Sequence, residues 1–154
     1  MKNMRNLLIL LFVLTAGVES HAAPIPAGTI FEIFAIKSGA GGIKFKKMSL
    51  TKAMALAKSS GKIIFIDAYT TWCGPCKEMA KTTFQSPRVG SVFNEKFINI
   101  KIDVENDEDG EMLEKNYNVA AYPTLLFIDA NGKLVKRLVG KQSEEKLLNQ
   151  VNMM

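Results

Sequence analysis

Trp72-Cys73-Gly74-Pro75-Cys76 holds both cysteines of this 154-residue chain, two residues apart. Two sulfurs at that spacing, the first at a helix start, can close a small disulfide across the first turn and reopen it by exchange with another disulfide. The pair reads as one redox dithiol. Its surroundings decide the architecture. Upstream, Ile63-Ile64-Phe65-Ile66 is a short unbroken run of β-branched and aromatic residues, the pattern of a strand covered on both faces. Downstream, Cys76, Met79, Ala80, Thr83 and Phe84 keep helical spacing until Gln85-Ser86-Pro87, where Pro87 breaks the register or begins a new turn.

Working outward, Ser49 is placed to cap a helix whose apolar positions Leu50, Ala53, Met54 and Ala57 recur at i, i+3, i+4 and i+7, and Gly61 stops it. The next strand runs from Phe97 to Val104, with Phe97, Asn99, Lys101 and Asp103 on one side and Ile98, Ile100 and Ile102 on the other. A helix follows over about 109–117. Leu125-Leu126-Phe127-Ile128 and Lys133 to Val139 form a hairpin, with Asn131-Gly132 supplying the positive φ angles of a two-residue turn. Ser143 opens a last helix with Leu147, Leu148 and Val151 on its inner face.

The N-terminal residues indicate where the dithiol works. Lys2 and Arg5 precede an apolar run from Leu7 to Val13, and Ser20-His21-Ala22 has the small-x-small form of a signal-peptidase site. The run is well short of the roughly 20 apolar residues of a membrane span. The expectation is a signal peptide over 1–22, an extension over 23–42 whose apolar stretch Ile30–Ile36 is either an added edge strand or an arm, and one domain over 43–154. Export follows, to the periplasm in a Gram-negative source, with no stable membrane insertion and a monomer as the default.

The formal net charge of +5 falls by one when Lys2, Arg5 and Glu19 leave with the signal, and it is spread too thinly for a nucleic-acid footprint. Lys44, Lys46 and Lys47 alternate with Ile43 and Phe45 as the wet side of an edge strand does. Glu105-x-Asp107-x-Asp109-Gly110 imitates the front of a calcium loop, but the loop would begin on Glu and its twelfth position is Asn116 rather than a bidentate Glu. These acids are expected to solvate a loop and complement the next helix N-terminus. Two cysteines, with no histidine once His21 is removed, do not make a zinc site, so no metal is expected. No Gly-x-Gly-x-x-Gly loop supports a nucleotide cofactor.

The order strand, helix, strand, helix, hairpin, helix around an exchanging dithiol resembles the thioredoxin family, an α/β fold with a central mixed sheet flanked by helices. The resemblance rests on Trp72 through Cys76, Asp67 six residues before Cys73, Tyr122-Pro123-Thr124 before an apolar strand, and Gly140 after the last strand. Cys76-Lys77-Glu78 and Thr83-Phe84 with Pro87-x-Val89 are similar, more narrowly, to the C-terminal domain of the bacterial transmembrane thiol:disulfide reductase and its exported relatives.

That resemblance implies roles. Cys73 is the exposed nucleophile at a helix N-terminus, where free N–H groups favour the thiolate. Cys76 is the resolving thiol, and Asp67 the buried carboxylate that accepts its proton. Pro123 matches the cis-proline facing the cysteines, and Trp72, Gly74, Pro75 and Tyr122 form the substrate-binding surface. There are two departures. The helix lacks the usual kinking proline, whose place is taken by Lys81, and is expected to run straight to Gln85. The lysine that often partners the aspartate falls on Asn99 by counting back from Asp103, with Lys101 one pair of residues off.

The expected function is an exported thiol:disulfide oxidoreductase that reduces disulfide-containing proteins, with no cofactor and with a membrane thiol:disulfide reductase as electron donor. Gly74-Pro75 matches the reducing members. The alternatives are an oxidase or isomerase in the same compartment, and a non-catalytic module that binds unfolded clients.

Overall fold

The computed structural model of the protein describes residues 41–154. The expected signal peptide, nearly all of the 23–42 extension and its Ile30–Ile36 stretch lie outside the described residues. The described elements are α1 (Leu50–Ser60), β1 (Ile63–Tyr69), α2 (Gly74–Lys81), a 3-10 turn (Thr83–Gln85), α3 (Pro87–Lys96), β2 (Phe97–Asp103), α4 (Gly110–Tyr117), β3 (Thr124–Ile128), β4 (Leu134–Val139) and α5 (Glu144–Asn152).

The four strands form one sheet in the order β2-β1-β3-β4, with β1 and β2 parallel and the other pairs antiparallel. Alternation along β1 sends its side chains into two separate cores. Ile64, Ile66 and Ala68 join Leu50, Ala53 and Ala57 of α1 and Leu113 of α4 on one face. Phe65 joins Met79 of α2, Phe84, Val89 and Phe93 of α3, and Leu147, Leu148 and Val151 of α5 on the other. Phe65 lies at the centre of that second core, with ring centroids 4.8 Å from Phe93 and 5.0 Å from Phe127. A thioredoxin fold is the result: a mixed four-stranded sheet between two helical layers.

The expected caps are in place. Ser49 accepts from Lys52 N–H and Ser143 from Lys146 N–H, while Gly61 takes the left-handed conformation after α1. Several expectations are corrected. The dithiol helix does not run to Gln85. It ends at Lys81, Thr82 leaves helical geometry at φ −121° and ψ −84°, and the chain tightens into a 3-10 turn. Of the two readings of Pro87, the one in which it begins a new turn holds. Ser86 accepts from Val89 N–H and Pro87 sits at the start of α3, a helix that the sequence reading passed over.

The hairpin loop is longer than Asn-Gly. Gly132 has a positive φ of 82° and Asn131 does not. Asp129 holds the loop instead, its Oδ1 accepting from Asn131 N–H and Lys133 N–H.

The 43–47 segment alternates as expected, with Ile43 buried, Phe45 half-buried and the lysines exposed, yet it is not a ladder strand. Lys46 N–H does reach Asn99 O on β2, but Ile43 N–H goes to Phe84 O and Lys44 N–H to Asn94 Oδ1.

The acids between β2 and α4 build the connecting loop. Asp107 Oδ2 accepts from Asp103 N–H, Asp103 accepts from Glu105 N–H and the Asn106 amide, and Val104 N–H donates to Tyr69 O. Asp109 caps a different helix from the one expected: its carboxylate takes Leu50 N–H at the start of α1, 2.7 Å away. The loop closes so tightly that a Cβ on Gly110 would stand 2.0 Å from Val104 O. Gly110→Ala is therefore expected to destabilise the fold by roughly 1–3 kcal/mol through forced backbone displacement. A urea midpoint lowered at unchanged slope checks this, with Gly74→Ala as the control, since a Cβ there meets nothing within 4 Å.

Candidate active site

β1 ends at Tyr69, and within four residues the chain has turned into α2. Cys73 is the N-cap of that helix, at φ −67° and ψ 109°, and its Sγ accepts from Cys76 N–H at 3.1 Å. Pro75 fits the first turn because no intrahelical partner exists there for the N–H it lacks. Cys73 and Cys76 are joined, with S–S 1.99 Å and Cα atoms 5.3 Å apart. Cys73 is not exposed as expected. In the oxidised pair both cysteines retain 3% of their surface. The exposed positions are its neighbours Trp72, Gly74 and Pro75.

Asp67 shares the face of β1 that carries Phe65, against which Met79 of α2 packs. It is completely buried. Its Oδ2 lies 2.9 Å from Lys101 Nζ, while Oδ1 has no hydrogen-bond partner among the described residues. Burial raises the Asp67 pKa above its ordinary 3.8, and the charge and hydrogen bond of Lys101 oppose that rise without cancelling it.

The lysine partner is the main correction at the site. Asp67 and Lys101 are direct neighbours across the parallel β1/β2 pair, whereas Asn99 faces Phe65. Asn99 donates its amide to Phe93 O and Asn94 Oδ1 and makes no contact of this kind with Asp67. Sequence held the signal: β1 starts at Ile63 and β2 at Phe97, and Asp67 and Lys101 are each the fifth residue from that start. Counting back from Asp103 without fixing the register hid it. The Lys101 ammonium is also ringed by Tyr69, Phe45 and Phe84, at 4.6, 5.3 and 5.7 Å from the ring centroids.

The β1/β3 register brings the other expected residues to the same end of the sheet. Thr124 pairs with Ala68, so the preceding Tyr122-Pro123 lies beside the C-terminal end of β1, from which the dithiol segment departs. The Tyr122-Pro123 peptide is cis, and Pro123 O accepts from Gly140 N–H. Trp72 is 64% exposed and stands edge-on to Tyr122, with ring centroids 5.9 Å apart. The Tyr122 hydroxyl donates to Glu114, and the Trp72 indole N–H to Glu105. Burial and then Glu114 raise the Tyr122 pKa, which keeps that hydroxyl a donor. Sequence had marked Glu105 only as an acid of the calcium-like loop and had not marked Glu114 on α4, since spacing along the chain does not say which acid faces a ring.

Because the native Asp67 pKa is raised, the folded chain holds a proton that the unfolded chain has already lost. Stability therefore falls as pH rises from about 4 through the native value and is flat above it. Asp67→Asn removes this loss. Its stability should match wild type near pH 3.5 and exceed it at pH 8 by on the order of 1–2 kcal/mol, the cost of a buried carboxylate oxygen left unpaired, read as a higher thermal midpoint. Paired melts at the two pH values check the sign.

Residues 50–154 match the family described as thioredoxin-like domain. Thiol:disulfide interchange proteins DsbD are similar to part of the chain. That of Citrobacter koseri is 36% identical over 93 residues, 58% of this chain and 16% of the relative, and that of Tatumella citrea is 34% identical over 96 residues, 60% and 16%. The chain thus spans about a sixth of the length of those relatives. Among solved structures, a candidate disulphide isomerase from Bacteroides thetaiotaomicron is 45% identical with TM-score 0.66, over 74% of this chain and 93% of that one. The oxidised C-terminal domain of DsbD from Neisseria meningitidis is 26% identical with TM-score 0.56, over 72% and 97%. The fold, the joined Cys73–Cys76 pair and this kinship support a redox role, and the chain belongs to the thioredoxin-like domain family.

Proposed function

We propose that the protein is an exported thiol:disulfide oxidoreductase that reduces disulfides in other proteins. One observation carries the reading: a disulfide across the first turn of a helix whose Met79 packs on Phe65, on the strand face that also carries the buried Asp67. In the reduced state the N-terminal N–H groups of α2 favour the Cys73 thiolate, which attacks a substrate disulfide and expels one substrate thiolate. Cys76 gives its proton to Asp67 and attacks Sγ of Cys73, closing the disulfide and releasing the second substrate thiol. Two electrons have passed to the substrate, and the enzyme is left in the state that this structure has. Burial of Asp67 suits it to accept a proton near neutral pH. Lys101 limits the rise, so the carboxylate can be emptied again between turnovers.

Trp72, Gly74, Pro75, Tyr122 and Pro123 form the surface that receives the substrate chain. The donor that reopens Cys73–Cys76 is proposed to be a membrane thiol:disulfide reductase, and the setting the periplasm. The apolar N-terminal run and the DsbD kinship support both. A second reading, disulfide isomerase, is favoured by the Bacteroides relative.

The redox potential separates the readings. Equilibration with glutathione should place Cys73–Cys76 near the thioredoxin value of about −270 mV, and a potential above about −150 mV would overturn the reductase assignment. Cys73→Ser should abolish insulin reduction. Cys76→Ser should accumulate mixed disulfides with substrates, and Asp67→Asn should slow their resolution at pH 7 by roughly 10- to 100-fold, as expected for a lost proton acceptor.

A further inference from the structure

Glu105 places both carboxylate oxygens on the indole N–H of Trp72, with Oε1 at 3.0 Å and Oε2 at 2.9 Å. Two exposed side chains ordinarily gain little by meeting, since each surrenders rotamer freedom. Here the freedom of Glu105 is already reduced by its backbone. Its N–H donates to Asp103 Oδ1, Val104 N–H before it is tied to Tyr69 O, and Asp107 and Gly110 close the turn behind it. A rigid turn at the end of β2 thus presents one carboxylate to one ring. That ring adjoins Cys73, is held edge-on to Tyr122 and is 64% exposed.

We infer that Glu105 is a positioning residue for substrate: it fixes Trp72 in advance as one wall of the surface that receives a protein disulfide. It acts through the indole and takes no part in the thiol chemistry. A large aromatic ring that must be ordered when a partner docks weakens docking, and a ring ordered beforehand does not. The inference rests on the disulfide-exchange reading and adds to it a residue that selects for polypeptide substrates over small disulfides.

The test uses the full-length protein, reduced and then mixed with insulin over a range of concentrations, and separately with hydroxyethyl disulfide. Trp72 is the chain's single tryptophan, so intrinsic fluorescence reports this ring alone. Glu105→Ala should raise the half-saturating insulin concentration roughly two- to tenfold at an unchanged plateau rate. Its rate with hydroxyethyl disulfide should equal wild type, and its Trp72 anisotropy should fall. Glu105→Gln keeps an oxygen acceptor for the indole, so it should stay within about twofold of wild type in every readout.

Unchanged half-saturation in Glu105→Ala, or an equal loss toward the small disulfide, overturns the proposal. So does a Gln variant as impaired as Ala, which would assign the effect to charge. A wild type that reacts with neither disulfide overturns the exchange reading itself and the proposal with it, a result distinct from all the others.

Discussion

A carboxylate with no exposed surface lies on the central strand of the sheet, and much of the molecule is arranged around keeping it there. Asp67 costs stability, because burial disfavours its charge and leaves one oxygen without a hydrogen-bond partner. Lys101 offsets part of the cost, but only from the adjacent register position on β2, so the parallel β1/β2 pairing has to be exact to the residue. The lysine is held in turn by three aromatic rings, one of them Phe45 from the segment before α1. A slip of one residue would send Lys101 to the Ile100 face and leave the carboxylate alone. The same strand runs on into the dithiol, which ties Asp67 to Cys73 by six residues of chain.

Much of this was legible in the sequence. The cysteine pair, the start of its helix, the covered strand before it, the alternation of β2 and the caps at Ser49, Gly61 and Ser143 all stand as read, because each is set by local chemistry: a spacing, a period or a side-chain oxygen. Two of the failures come from contacts between distant segments. Lys101 was set aside because strand register is a relation between two stretches of chain. Asp109 was assigned to the helix it precedes, and its carboxylate instead reaches Leu50, 59 residues away. Pro87 was read as a break or a new turn and not as the start of a ten-residue helix, although Ser86 before it is an N-cap. The break at Thr82 has no proline to announce it, and nothing in the local sequence accounts for it.

The acidic segment after β2 shows how residue type can mislead when spacing is read alone. Its carboxylates resemble cation ligands in sequence, yet in the structure Asp103, Asp107 and Asp109 accept backbone N–H groups, and Glu105 accepts an indole N–H. Acceptors are what a turn rich in free N–H groups needs, and acids supply them in pairs.

The two margins of the sheet are treated differently. Along β2 the chain's own 43–47 segment lies beside the strand and gives Lys46 N–H to Asn99 O. Among the described residues β4 is the outermost strand at the other margin, with Leu134, Val135 and Val139 exposed. Such a margin invites a foreign strand to add to it. Here the β3/β4 register shifts at Phe127/Ile128, and Lys136 and Arg137 interrupt the apolar residues along β4. The flank thereby discourages growth of a polymer by strand addition, whatever chain meets the end of the sheet that bears the sulfurs.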